Sequence, residues 1–469
     1  MKPLPGKGSN PPLRKERAGA VCRRHGEAQK IIYPCNIPLQ SLVRPLKQTT
    51  MGKNNMPGLF AILAACCMFF FLAGCRKESA TRTYTLYTPI YKSKTEVLAA
   101  INGNASQSVE TAGKFYIKDN FIYLNEVDKG IHIIDNSDPS HPAQVAFLNI
   151  PGNQDIAVKG NILYADMYGD LLALDISNPR KATITASLNN FFTQRMYTNG
   201  VYASDSTKVV VDWIEKDTTV PVENNIYPPG CANCGIFFNA AASSSGGSKS
   251  NGKAGSMAKM VLMHDYLYAI TEPHSLGIVS TTDPRTPSFV STTYAGYDLE
   301  TIYPFEDKLF MGSAVGLFMY DMSDPLNPVK LGQFSHGRAC DPVVTDGDYA
   351  YVTLHAGTEC GGDANELNII NVKDLMNPTL VKTYPLTKPT GLSKDGDLLF
   401  ICDGGSGVRI YNTANPSGLK LLQQISSNEP YDVIAGNKHA LVVAKDGLYQ
   451  YDYSDINHIR QLSFFSLNH

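Results

Sequence analysis

Between Ile131 and Asp455 the chain alternates short apolar runs with polar turns, and eight times the run ends on an Asp or on a residue standing in for it. The clearest copies read G-I-H-I-I-D-N-S-D-P (residues 130–139), G-L-F-M-Y-D-M-S-D-P (316–325) and G-V-R-I-Y-N-T-A-N-P (407–416). Aligned on that position, the copies fall at Asp135, Asp175, Asp212, Ser280, Asp321, Asn371, Asn412 and Asp452, with spacings of 40, 37, 68, 41, 50, 41 and 40. A repeat of about this length built from strands and turns is the mark of a blade array. In the second copy the pattern predicts strands at 154–158, 162–165, 171–175 and 183–188, separated by Lys159-Gly160-Asn161 and Ser177-Asn178-Pro179. β-Branched and aromatic runs bounded by Gly, Asn, Asp and Pro are strand signals, because Gly and Asn accept positive φ and Pro gives up a donor that an outer strand can spare. Such strands are apolar on both faces, and one four-stranded sheet cannot keep both faces dry, so neighbours must stack around an axis. The predicted fold is an all-β propeller of about eight four-stranded blades, or seven if the divergent third or fourth copy merges with a neighbour. The two long spacings mark insertions, near 217–256 and 356–365.

The apolar run closed by Asp and followed by S-D-P resembles the LVIVD repeat. The residues that carry the likeness are Ile131-His132-Ile133-Ile134-Asp135, Leu171-Leu172-Ala173-Leu174-Asp175, Leu317-Phe318-Met319-Tyr320-Asp321 and Val408-Arg409-Ile410-Tyr411-Asn412. The resemblance spans roughly residues 110–465 and implies a β-propeller of the secreted or surface-exposed bacterial kind. The third copy (Val209-Val210-Val211-Asp212-Trp213) and the fourth, where Ser280 replaces the Asp, depart from it. Residues 82–101 are expected to supply a closing strand or to pack against the ring.

Ahead of the repeats, residues 59–71 form an unbroken apolar run that ends at Leu72-Ala73-Gly74-Cys75. A run of this length is a secretory signal rather than a membrane span, which needs about 20 apolar residues. Its end resembles the lipobox of bacterial lipoproteins, which implies cleavage before Cys75 and lipidation of that residue. Residues 51–74 are therefore expected as a signal peptide, 75–110 as a lipidated linker with a lead-in strand, and 111–469 as the propeller. A signal must stand first, so residues 1–50 are expected to lie outside the real protein, with Met51 or Met56 as its start. They are expected to be disordered, being Pro-rich and basic with 10 Lys/Arg against 2 Asp/Glu. Without them and Lys53 the rest holds 30 basic and 41 acidic residues, a net charge of about −11. That charge disfavours a nucleic-acid partner. By resemblance to lipoprotein sorting, Arg76-Lys77-Glu78 favours the outer membrane and is weakly similar to a surface-export signal.

Candidate chemistry is sparse. Cys231-Ala232-Asn233-Cys234 is half of a zinc site without a second half, and in an oxidising compartment it is expected as a local disulfide. Cys340 and Cys360 flank a predicted hairpin and are expected to pair; Cys402 is left as a buried thiol. Asp155, Asp298 with Glu300, Asp341 and Asp432 stand where innermost strands begin, so they converge on one mouth of a propeller channel. Such acids are able to hold a cation such as Ca²⁺ or a polar ligand, or simply to accept hydrogen bonds from their own loops, the preferred alternative. His336, Arg338 and His355 gather near the Cys340–Cys360 segment as the first choice for acid–base groups. The sequence carries no nucleophile elbow, zincin helix, phosphate loop or EF-hand. The expected function is a lipid-anchored binding or scaffold module for a protein, peptide or glycan; the alternative is a glycan-active hydrolase or lyase with its site at the channel mouth.

Overall fold

The apolar runs build seven four-stranded antiparallel sheets, each from one continuous stretch of chain in simple up-and-down order: residues 112–149, 156–188, 260–294, 299–335, 343–385, 389–425 and 430–466, called blades 1 to 7. The computed structural model describes residues 81–102, 105–193, 195–197, 200–202, 205–221, 253–256, 258–337, 342–356, 362 and 364–466. All of them fall within the single unit Glu78–His469. The first three strands of each blade are buried almost throughout, as in Ile162–Met167, where every residue is buried, while the fourth is half-exposed. That gradient is what a stacked sheet with one outer edge requires. Among the described residues no helix is long and apolar enough to cross a membrane.

The repeated phrase has a physical meaning. Asp321 Oδ1 accepts the amide of Ser323 at 3.0 Å, and Asp324 Oδ1 accepts that of Leu326 at 3.0 Å. Two Asx turns in tandem thus reverse the chain between the third and fourth strands, giving the backbone partners that no ladder offers there. The same pair recurs at Asp135 and Asp138, Asp175 and Asn178, Asn371 and Asp374, Asn412 and Asn415, and Asp452 and Asp455. In blade 3 Asp283 keeps the second turn, and Ser280 meets Thr282 through its hydroxyl in place of the first. The Ser323 hydroxyl and amide, with Lys308, hold the Asp321 carboxyl down at about 2. Asp321→Ala is expected to cost about 1 kcal/mol, the net worth of such bonds, measured as a lowered urea midpoint with unchanged m-value.

Eight copies make only seven blades. Asp212 opens no turn: its carboxylate accepts the amide of the next residue, Trp213, and the strand runs straight on through Lys208–Pro221. The cause is local, since Ile214-Glu215-Lys216 continues a strand where the other copies place an Asp or Asn turn residue, as in Ser-Asp-Pro at 137–139 and 323–325. This strand pairs with Thr81–Ser93 in a two-stranded ribbon outside the blades. Residues 82–101 therefore contribute no closing strand to a blade. Instead the short helix Lys94–Ala100 comes after the ribbon strand, and buried Lys94 pairs with Asp170 of blade 2 while donating to Asn189 at 2.7 Å.

Neighbouring blades are tied by buried tyrosines that reach the next blade's turn. Tyr164 donates to the Pro284 carbonyl at 2.9 Å and Tyr268 to that of Pro325 at 2.8 Å. The ring closes without sharing a strand. Phe115, Ile122, Leu124 and Ile134 of blade 1 pack against Ile434, Leu441, Val443 and Leu448 of blade 7. Tyr431 donates to the Gly113 carbonyl at 2.8 Å, and Gln450 to Asn136 at 2.7 Å.

Through the middle runs a piece of the chain's own insertion. Lys253 and Ala254 pair antiparallel with Ile117 and Tyr116 on the innermost strand of blade 1. Ser256 Oγ accepts the Leu392 amide of blade 6 at 2.7 Å. The Ala258 carbonyl accepts from Ile302 of blade 4 at 2.6 Å before the chain enters blade 3. Gly255 is there because nothing larger fits: a Cβ at that position would lie 2.4 Å from Asp432 Oδ2.

Candidate functional site

Two of the predicted acids flank one lysine, and they are buried in the interior rather than set in an open mouth. Lys114, third residue of its innermost strand, reaches Asp155 Oδ2 at 2.6 Å. The same oxygen accepts the Lys259 amide at 2.7 Å, and Oδ1 accepts that of Ile156 at 2.8 Å. Asp432 Oδ1 accepts the Val433 amide at 2.9 Å. All three side chains are buried, Asp155 at 1% and Asp432 at 0% exposure. Each acid thus takes a loop amide, as the structural alternative expects, and the two flanking acids also share the field of one lysine. Burial dominates at Asp432 and pushes its carboxyl up to about 8, against the Val433 amide, the Lys114 charge and the Ser256 hydroxyl. At neutral pH it is a neutral acid, because a single cation cannot compensate two buried carboxylates.

The remaining candidates are dispersed on the same end of the propeller, the loop face, where innermost strands start and all long insertions emerge. Asp298 and Glu300 stand half-buried at the start of blade 4; Asp298 takes φ +48° and donates its amide to His274 Nδ1 at 3.2 Å. His336 follows the last strand of blade 4, its amide donating to the Val315 carbonyl at 3.4 Å. His355 lies after the second strand of blade 5, where burial and then the Lys388 charge lower its basicity, opposed by a hydrogen bond with Asn365. Arg338, Asp341, Cys340, Cys360, Cys231, Cys234, the signal segment 51–74 and Cys75 lie outside the described residues. Among the described residues no three His, Cys, Asp or Glu gather as a metal site.

A cleft of about 520 Å³ opens on the loop face between blades 6, 7 and 1, lined by Glu110, Lys388, Thr390, Glu429, Tyr431 and Lys445. Its walls are charged of both signs, with Lys445 bridging to Glu429 at 3.2 Å. Asp403, fully buried, fixes the wall that bears Lys388: it accepts the Thr387 and Lys388 amides at 2.7 and 2.8 Å and meets Arg409 Nε at 3.1 Å. Sequence reasoning missed Lys114, Ser256, Asp403 and Arg409. Only Lys114 carried a signal, a cation in the interior of the apolar strand A-G-K-F-Y-I-K.

A second buried network joins blades 1 and 2. Asp166 Oδ1 accepts Asn153 Nδ2 and the amides of Gln154 and Asp155, at 2.7, 2.9 and 2.8 Å. Nearby, His132 meets Glu126 Oε2 at 2.6 Å with both side chains shut from solvent. Burial opposes charge on Glu126, but the His132 bond, the Glu110 amide and Lys129 outweigh it and hold its carboxyl low. A dyad that no solvent reaches is a brace.

The LVIVD repeat model matches residues 111–148 and 152–189, which are blades 1 and 2 with their tandem Asx turns. The chain carries LVIVD repeats. Outside those two copies the same turn recurs at Asp321, Asn371, Asn412 and Asp452. Among solved structures, the chain is similar to BamB from Moraxella catarrhalis, with 12% identity over 73% of this chain and 84% of that one, and a TM-score of 0.44. It is also similar to Sqt1 from Saccharomyces cerevisiae (7% identity, 79% and 90% covered, TM-score 0.47). A third is the periplasmic gluconolactonase PpgL of Pseudomonas aeruginosa (11% identity, 76% and 97% covered, TM-score 0.45). No match is found among curated protein sequences.

Proposed function

We propose that this LVIVD-repeat propeller is an extracytoplasmic binding module, tethered to the outer membrane through lipidated Cys75, that receives a protein, peptide or glycan on its loop face. The observation that carries this is the crowded centre. Residues 253–256, 258 and 259 run against the innermost strands, where Asp155 is engaged by Lys114 and two backbone amides and Asp432 by the Val433 amide. A glycan hydrolase needs a pair of carboxylates reachable by sugar and water, and these two, at 1% and 0% exposure, do not serve. What remains is a platform of seven stacked blades with loops on one side, the arrangement in which binding residues usually sit.

The test uses residues 78–469 as bait against cell-envelope proteins and an envelope glycan panel. The double reversal Lys388→Glu/Lys445→Glu is expected to lower capture of the partner at least tenfold with no shift in melting temperature. Turnover of a glycan or ester substrate, with no capture, overturns the binding reading. For the tether, Cys75→Ser is expected to release the protein from membranes, and retention would contradict it.

A further inference from the structure

On the loop face of blade 3, away from the cleft, three rings crowd together. His274 and Tyr297 stack with centroids 4.9 Å apart and planes 18° apart, and Tyr294 lies 6.4 Å from His274. Tyr294 is 69% exposed and Tyr297 51%, among the most exposed aromatic residues described. Rings so wet are costly to leave uncovered, yet the backbone beneath them is held firmly. The Ala295 amide donates to the His274 carbonyl at 2.9 Å, and the Leu299 amide to that of Pro273 at 2.7 Å. Tyr320 donates to the Ala295 carbonyl at 3.1 Å. Gly296 takes φ +144° with Phe318 and Leu299 closing beneath it, a place no side chain would enter. Nδ1 of His274 accepts the Asp298 amide at 3.2 Å, which leaves Nε2 as the ring's donor.

We propose that His274, Tyr294 and Tyr297 form a shelf that binds a neutral oligosaccharide. This rests on the binding-module reading and gives it a ligand class. Nucleobases, aromatic peptide side chains and sugars all stack on fixed rings. Charge removes the first, since Glu272, Asp298 and Glu300 surround the shelf in sequence and Arg285 is the lone Lys or Arg from residue 260 to 307. Arg285 sits at the opposite end of the blade, paired with Asp175. A phosphate backbone finds repulsion here. An apolar peptide anchor needs a pocket that removes it from water, whereas the rings here carry hydroxyls and an N–H at their rims. A pyranose suits that mixture: its C–H face lies on the electron-rich ring face, and its hydroxyls exchange hydrogen bonds with the polar rim and neighbouring carboxylates. Rigidity prepaid by the backbone lowers the entropy lost on binding.

The experiment titrates the protein with cellotetraose, maltotetraose and chitotetraose, reading saturation-transfer NMR and calorimetry. At least one is expected to bind, with transfer concentrated on one face of a sugar ring. Tyr297→Ala is expected to weaken that binding at least tenfold and Tyr294→Ala at least threefold, while Tyr297→Phe, which keeps the ring, recovers most of it. Tyr297→Leu serves if the alanine variant misfolds, since it fills the space without a stacking face. Absence of binding by all three sugars, or binding indifferent to both tyrosines, overturns the shelf. Selective binding of an aromatic peptide that Tyr297→Ala abolishes overturns it too, by assigning the surface to peptide. If sugars fail while a partner is captured in a manner that depends on Lys388 and Lys445, the shelf falls and the loop-face module stands.

Discussion

Asp432→Asn is expected to leave the propeller's stability unchanged near pH 4 and to raise it progressively up to pH 8, with a constant gain beyond. In the unfolded chain this carboxyl ionises near its ordinary value of 3.8, whereas in the folded protein burial holds it protonated to about 8. The folded state therefore binds the extra proton throughout that window, and stability falls as pH rises. The favourable contribution is complete below pH 4 and gone once pH has passed 8. A four-unit difference corresponds to several kcal/mol, on the order of 5, at the alkaline limit. Asn has the same shape and no proton to lose, so its curve lacks that slope. The measurement is chemical denaturation of both proteins from pH 4 to 9. Parallel curves across the whole range would show that Asp432 is not a neutral buried acid.

Lys114→Met is expected to destabilise the protein by about 3–5 kcal/mol, the usual cost of stranding a buried charge. Met replaces the stem but not the ammonium, leaving Asp155 with the Ile156 and Lys259 amides alone. Removing the carboxylate as well, in Lys114→Met/Asp155→Leu, is expected to restore much of the loss, because a buried pair is worth little more than apolar groups of the same volume. Urea midpoints of the single and double variants decide it. A single variant within 1 kcal/mol of the parent would mean that Lys114 is not the counter-ion of the interior.

Local rules read from the chain worked where one residue decided one turn. The strands expected at 162–165, 171–175 and 183–188 lie inside Ile162–Met167, Asp170–Asp175 and Thr183–Leu188. The Asp and the S-D-P after it proved to be two hydrogen-bonding turns written in consecutive residues, a purely local matter. Of the two blade numbers the repeats allowed, seven is the one found, because at Asp212 in the divergent third copy the apolar run is present but the turn residues after it are not; the turn, not the run, carries the count. The filled axis was beyond reach for another reason. Gly255 and Ser256 sit at the end of a Ser- and Gly-rich stretch that reads as a linker, and their value comes from Asp432 and Leu392, more than 130 residues away. Asp155 and Asp432 both lie buried at the starts of innermost strands, and Lys114 from the blade between them pairs with Asp155. No feature of either acid's own neighbourhood announces Lys114.

The seam between blades 1 and 7 joins the first and last sheets of the chain with side chains alone. During synthesis, a nascent polypeptide lacking residues 430–466 leaves Phe115, Ile122 and Leu124 without their mates. Closure of the ring must therefore await residues 430–466, and until they are made that flank of blade 1 stays open to water.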